Sequence, residues 1–525
     1  MFPKKDERGG LELLQTYQTK LSNIQLNHHL DSYRYLDEFG KFFGFLERKL
    51  FVLFYVKKQS VSSVKPSFCK EYGITSRQFN ALRMQLEGKL SAVKRVRKYQ
   101  IEQLKHRIME LERIIEKKIK QKEKQYTKLM ETKETDSCFQ KIVKRYRNIK
   151  FVLHQKKRKL RNLKQKLEQL QQDERNNIIR ICFGSKRLFH KQFHLEKNGY
   201  SSHEEWKRDW QRARSSQFVV IGSKDETFGN QSAIYNTKNE LHLRVAHQFV
   251  DTYGKYIVFP SVMFPYGQRV LNQAKIPYMG ITKGGKPKKY FRAITYRFLR
   301  KEKGWYLFAT VERDVPEIST TDLGGYIGID LNAGFLSVCE VDRFGNPLQE
   351  QKIRVSMYDR NKNQIFASLS NALQQVMKYA LSVGKHVAIE DLYFFKKRAV
   401  LGEMNSKYAR MLSGFTYSKF KSLVESKAKK LGVGVKLVYP YYTSQIGHMK
   451  FMARYGLSPH GSAACVIARR ALRFSLEKPK YDTVLQLPKT LDKHQSNYSK
   501  WRSITNSVKK NYWFHDKIEI LKADI

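Results

Sequence analysis

Three short stretches carry the residue types and spacings that could do chemistry. In YIGIDLNAGFLSVCEV, residues 326–341, Asp330 sits in the middle of an otherwise apolar run. A buried carboxylate is costly unless it is paired or binds a cation, so this acid needs a reason to be there. KHVAIEDL, residues 385–392, repeats the pattern, an apolar run ending in Glu390 and Asp391. Between them, NKNQIFASLSNALQQVMKYALSVG (361–384) has helical spacing and suits the crossover that joins two parallel neighbouring strands. Such strands bring Asp330 and Glu390 together. Two carboxylates held that close repel unless a divalent cation lies between them, as in phosphodiester hydrolysis. Asp391, next along the strand, faces the other side and is not expected to ligate.

The third stretch is GLSPHGSAACVIARRAL, residues 456–472. Ser458 is an N-cap residue and Pro459 a natural first helical residue, which puts His460 in the first turn. Ala463, Ala464, Ile467, Ala468 and Ala471 give this helix a narrow apolar face. The spacing predicts strands over 326–331, 335–341, 385–392 and 433–440, with turns at 332–334 and 342–347. An order β-β-β-α-β-α with Asp on the first strand and Glu on the fourth is the ribonuclease-H-like arrangement. There the third ligand comes from the start of the last helix, where His460 stands. Ser444 and Gln445, after the fifth strand, could touch a scissile phosphate. Arg454, Arg469 and Arg470 could hold DNA or the developing phosphorane charge, or simply form an exposed face.

These groups are embedded in a strongly basic chain of 525 residues, a length suggesting about three or four domains. Lys and Arg number 100 against 48 Asp and Glu, a formal charge of +52, so a polyanion, nucleic acid, is the leading partner. No apolar run approaches the ~20 residues of a spanning helix, and MFPKKDERGG lacks the apolar core of a signal peptide. No membrane partner is expected. Five scattered cysteines with no CxxC pair argue against a disulfide framework or a zinc ribbon, and suit a reducing cytoplasm.

No Gly or Pro occurs between Gly88 and Gly184. Within that span Ile101, Leu104, Ile108, Leu111 and Ile115, then Leu160, Leu163, Leu167 and Leu170, step by three and four around a polar break at 131–137. The spacing predicts two long helices in an antiparallel hairpin. Residues 91–170 hold 26 Lys/Arg and nine Asp/Glu, and 141–166 is almost purely basic. A solvated face needs no such asymmetry, so Lys144, Arg145, Arg147, Arg158 and Arg161 are candidates for phosphate contact. Residues 66–90 read as helix, turn at Gly73 and a second helix capped by Thr75 or Ser76. A helix-turn-helix would put Arg77, Gln78 and Asn80 near base edges. From about 176 to 320 the pattern is β. A hairpin over 292–314 alternates Ile294, Tyr296 and Phe298 on one strand with Tyr306, Phe308 and Thr310 on the other. More strands lie in 215–246, together suiting a small barrel that grips a nucleic-acid backbone.

GIDLN, AIEDL, YYTSQ and SPHGSAACVIARRAL together resemble the RuvC-type nuclease of the transposon-encoded TnpB (OrfB) family, relatives of type V CRISPR effectors. TYQTKLS (16–22), RICFGSKRLFHKQF and ARSSQFVVIGSKDETFGNQS resemble segments of that family's wedge barrel. The resemblance implies a multidomain α+β and α/β chain. Residues 1–27 would begin a wedge-type β-barrel, 28–175 form an inserted coiled-coil-like recognition lobe and 176–320 complete the wedge. Residues 321–525 would be a ribonuclease-H-like RuvC domain. It further implies RNA-guided hydrolysis of DNA, with guide RNA and double- and single-stranded target DNA as partners. Mg²⁺ or Mn²⁺ would be held by Asp330, Glu390 and His460, Asp330 bridging two ions.

The chain departs from the family twice. TSQIGHMKFMARYG (443–456) has no cysteine, so the family's zinc ribbon is absent or degenerate there and no structural zinc is expected. His460 stands where a D-x-N-A-A sequence usually supplies the third carboxylate. Either histidine ligates the metal, as functional histidines do on this helix in RuvC resolvases and type II effectors, or cleavage has been lost. A helix N-terminus favours the neutral imidazole. Asp330 and Glu390, costly acids with no other task, favour retained activity. The alternatives are an RNA-guided DNA-binding protein or repressor without cleavage, a transposase using the same site, and a basic RNA-binding structural protein.

Overall fold

The structure, a computed structural model, describes residues 12–282, 284–332, 334–356, 360–391, 414–474, 477–478 and 495–510. It is a mixed α+β chain with several small sheets and many helices. It divides into two compact units, one of residues up to Glu102 with Arg161–Asp314, the other of Gln103–Leu160 with residues from Val315 onward.

In the first unit, Glu12–Lys20 (β1), Gln217–Val220 (β2), Ile294–Lys301 (β8) and Gly304–Asp314 (β9) form an antiparallel sheet in the order β1–β9–β8–β2. A second sheet joins Ala233–Tyr235 (β3), Leu241–Arg244 (β4) and Tyr256–Phe259 (β5). Tyr278–Ile281 (β6) and Pro287–Tyr290 (β7) form a two-stranded sheet of their own among the described residues. Alternation puts Phe218, Tyr235, Leu243, Ile257, Ile294, Tyr296 and Phe298 into one core. Helix α1, Ser32–Phe51, starts at an Asp31 cap that accepts the Arg34 N–H and adds Tyr35, Leu36, Phe39 and Phe43 to that core. Each such side chain contributes roughly 1.5–3 kcal/mol.

The β9 face differs from the one expected. Trp305, Leu307, Ala309 and Val311 are fully buried, while Tyr306, Phe308 and Thr310 lie on the other face. Both sets alternate with apolar bulk, and Trp305 decides between them. Its indole donates to Asp37 at 2.9 Å, and its ring lies 5.7 Å from that of Phe218.

Helix α2 is Val61–Glu71; after Gly73, in the left-handed region, Thr75 caps α3, Ser76–Glu131. The Thr75 hydroxyl accepts the Gln78 N–H and the Gln78 side chain accepts the Thr75 N–H, a reciprocal box. Helix α4, Phe139–Arg175, follows the polar break, and Tyr126 meets Tyr146 near the tip, ring centroids 5.8 Å apart. Ile101, Leu104, Ile108, Leu111 and Ile115 are all buried. Helix α5, His203–Arg214, lies within the stretch read as β; its Ser202 cap and the Glu205 that binds back to Ser201 define its start.

The second unit contains a five-stranded sheet. Its strands are Thr321–Asn332 (β10), Phe335–Val341 (β11), Pro347–Arg354 (β12), Lys385–Glu390 (β13) and Val435–Val438 (β14), in the order β12–β11–β10–β13–β14. The first three pair antiparallel, and β13 and β14 run parallel to β10. The succession of elements along the chain and the parallel pairing of β10 with β13 are those expected from the sequence. The crossover helix α6, Lys362–Ser382, opens on an Asn361–Gln364 capping box. With α7, Gly414–Leu431, it covers one face through Ile327, Ile329, Val387 and Ile389. Helix α8, Pro459–Ala471, covers the other through Ala464, Ile467 and Ala468 against Tyr326, Cys339 and Ala388.

Candidate active site

The pleat decides where the acids point. Ile327 and Ile329 face α6 and α7, so Gly328 and Asp330 face the side of α8. On the neighbour, Val387 and Ile389 share the first face, which leaves Ala388 and Glu390 with α8. Ile329 is the register partner of Ile389, so Asp330 and Glu390 follow side by side where the two parallel strands end. Gly328 lets α8 approach closely: a Cβ there would collide with the Ala464 carbonyl oxygen and the Ala468 nitrogen. That contact sets the helix whose first turn carries His460.

The His460 Nδ1 lies 3.8 Å from Asp330 Oδ2, the Asp330 side chain being 17% exposed and that of His460 48%. The imidazole packs edge-on against Phe335, centroids 5.0 Å apart, and Lys352 Nζ lies 4.3 Å from the Phe335 ring centre. Asn332 donates to Asp330 Oδ2 at 2.9 Å, and Thr443 donates to Glu390 Oε1 at 2.5 Å. The start of α8 is clasped in turn. Ser458 accepts the Gly461 N–H, and Glu350 accepts the Ser458 N–H and its hydroxyl. Glu350 thus sets a carboxylate at the positive end of the helix, and Gly461 leaves room for it.

Sequence reasoning missed Asn332, Phe335, Glu350, Lys352, Arg354 and Thr443. Their signals were present: Asn332 stands two residues beyond Asp330, on the same side of the pleat, and Thr443 follows the fifth strand. Lys352 and Arg354 pair with Ser337 and Phe335 in register and stand exposed on the edge strand β12, one strand removed from that of Asp330. Gln445 is buried, with its amide against the Met449 sulfur at 3.2 Å. Asp391 pairs with Lys421 at 2.8 Å. Residues 443–455 are helical throughout.

Two carboxylates and an imidazole are a donor set that suits a divalent cation. Among the described residues, however, no group of three or more His, Cys, Asp or Glu side chains is gathered closely enough to hold one as it stands. The pair Asp330–Glu390 has the right chemistry and neighbouring positions, and the half-exposed His460 stands next to Asp330.

Of the basic residues, Lys144, Arg145, Arg147, Arg158 and Arg161 are exposed along α4, and Arg454 is exposed near the Tyr455 ring. Three others are engaged inside the protein. Arg77 pairs with the buried Glu226. Arg469 binds Glu477 at 2.7 Å and the Gly345 carbonyl, between the rings of Phe451 and Phe474. Arg470 donates to the carbonyls of Tyr439 and Tyr441 and so shapes the loop that leads to Thr443. Burial pushes its guanidinium below the ordinary value, while the Glu390 carboxylate pulls the other way. Gln78 is spent on the Thr75 cap.

No helix among the described residues is long and apolar enough to cross a membrane. No protein-family model matches the chain, and no curated protein matches it. Among solved structures it is similar to T. thermophilus RuvC in complex with Holliday junction substrate, at 16% identity and a TM-score of 0.20. That match covers 27% of this chain and 88% of the other. At that level of likeness the site rests on its own geometry.

Proposed function

We propose that the chain is a divalent-metal-dependent nuclease acting on DNA, and in the finer reading an RNA-guided DNA endonuclease resembling the TnpB family. The observation that carries this reading is the pair Asp330 and Glu390, side by side at the ends of parallel β10 and β13, with His460 3.8 Å from Asp330. The two carboxylates would hold a cation, which when bound would activate water and stabilise charge developing on phosphorus. The protein's own groups prepare the site. Asn332 and Thr443 each bind one carboxylate oxygen and so help fix the two acids' rotamers. Phe335 fixes one side of His460. Lys352 and Arg354, on the edge strand β12, would take the phosphate backbone.

The wedge boundaries (1–27 and 176–320), the helical lobe (28–175), the RuvC-type domain (321–525) and the guide RNA belong to the finer reading. The exposed basic face of α4 supports a polyanionic partner. A guided DNA-binding protein without cleavage is the second reading, favoured by the absence of a gathered three-ligand cluster among the described residues.

The test uses protein purified with the RNA it retains. That RNA is sequenced, and matching DNA is offered with and without Mg²⁺ or Mn²⁺. Cation-dependent cutting that Asp330→Ala and Glu390→Ala abolish supports the nuclease. Tight guide-dependent binding without cutting supports the second reading, and no bound RNA with unguided cutting removes the guide.

A further inference from the structure

Among the described residues, the hairpin of β6 and β7 belongs to no larger sheet. Tyr278 pairs with Tyr290, Met279 with Lys289, Gly280 with Lys288 and Ile281 with Pro287, and among the described residues no further strand joins either edge. An isolated two-stranded ribbon is marginal in water, and this one buries almost nothing. Met279 is 64% and Ile281 75% exposed, and Lys286, Pro287, Lys288 and Lys289 are exposed as well. Local devices hold its shape. The rings of Tyr278 and Tyr290 stack across the strands at 6.0 Å, and Gly280 leaves the space that the Tyr290 ring fills. At the tip, Thr282 and Lys286 exchange backbone and side-chain hydrogen bonds around Gly285, which is in the left-handed region. The ribbon is thus preformed while its side chains are left in solvent.

Its charge names the partner. Between Asp251 and Glu302 there is no acidic residue in the sequence, and the ribbon and its tip carry Lys286, Lys288 and Lys289. Asp225 lies within electrostatic reach of Lys288 but forms no part of the ribbon. Its shape narrows the choice. The major groove of B-form DNA admits a two-stranded β-ribbon, whereas the deep, narrow major groove of A-form RNA does not. We propose that β6–β7 is a duplex-DNA-binding element that enters the major groove. Lys286, Lys288 and Lys289 meet the flanking phosphates, and Met279 and Ile281 lie against base edges. The proposal does not depend on cleavage, because the ribbon and the acids belong to different units.

The test uses the full-length chain carrying Asp330→Ala and fluorescent 30-base-pair DNA, with single-stranded DNA and duplex RNA of the same length in parallel. Affinity is measured by anisotropy across a salt series for the parent, for Lys286→Ala/Lys288→Ala/Lys289→Ala, and for a charge-matched control. The control changes Lys197, Lys238 and Lys255, all exposed and in the same unit. Each lost phosphate contact removes about 0.9 from the slope of log K against log salt, so the ribbon variant should lose about 2.7 and the control markedly less. Methylation of guanine N7 by dimethyl sulfate, which reports the major groove, should be blocked by the parent and by the control but not by the ribbon variant. Met279→Ala/Ile281→Ala, which keeps every charge, should restore N7 methylation while leaving the salt slope unchanged. Equal losses in ribbon variant and control, or unaltered N7 protection, would overturn the proposal. A loss confined to single strands or duplex RNA would overturn it equally.

Discussion

Gly328→Ala isolates the contact on which the proposed site depends. The added methyl would stand 2.8 Å from the Ala468 nitrogen and 3.0 Å from the Ala464 carbonyl carbon, and closer still to the Ala464 oxygen. Unstrained heavy-atom contacts lie near ~3.5 Å, so α8 must retreat by about 0.5–0.7 Å for the first two atoms and by about 1.5 Å for the third. The strand cannot yield instead, being paired on both sides. Overpacking of this kind costs about 1–3 kcal/mol, which for a unit of this size lowers Tm by about 2–4 °C per kcal/mol. The same retreat carries His460 away from Asp330, and a displacement near 1 Å at a reacting site costs about a hundredfold in rate. Calorimetry gives the first number and single-turnover cleavage of a matched DNA substrate the second. Full activity together with an unchanged Tm would refute the reasoning, since it would mean that the helix does not bear on Gly328.

Thr443→Val removes the donor to Glu390 and should lower the cleavage rate about tenfold, raising the Mn²⁺ concentration needed for half-maximal rate with little change in Tm. Glu340→Gln leaves the buried Lys385, paired at 2.5 Å, without its counter-charge. A destabilisation of about 3 kcal/mol is expected, read by urea unfolding and largely recovered in Glu340→Gln/Lys385→Met. His386 is held below its ordinary value of 6.5 by burial, its Nδ1 2.7 Å from the Thr320 hydroxyl. The unfolded chain therefore binds the proton more readily. Stability is fully present above the ordinary histidine value and falls as the pH drops through it, a slope that His386→Asn should flatten in a pH series of urea unfolding curves.

The succession of elements in the second unit was legible because each buried strand is a short apolar run bounded by Gly, Asn or charge, and because a 21-residue amphipathic helix fixes the crossover. Asp330 and Glu390 were legible for the same reason, as charges in places where charge is expensive. What was illegible depended on pairing. Glu350 is an ordinary acid on an alternating strand until the sheet brings it to Ser458. Arg469 and Arg470 read as a free basic pair until Glu477 and two loop carbonyls take them. On β9 two apolar sets alternate, and only the tertiary position of Trp305 chooses the buried one. Helix α5 lay unnoticed because SSHEEWKRDWQRAR shows its cap but has only Trp206 buried.

Thr16 bonds Thr310 across 294 residues of chain, and β1 finds its partner only when β9 exists. As the chain leaves the ribosome, its first strand must therefore wait through both long helices and every other strand of that sheet with its hydrogen-bonding edge unpaired. Closure of so long a loop is slow, although the entropic penalty grows only logarithmically with length. The same connection gives the chain room to vary. Residues added between α3 and α4 lengthen a loop that is already long, at a cost of tenths of a kcal/mol, and leave the register of the sheet untouched.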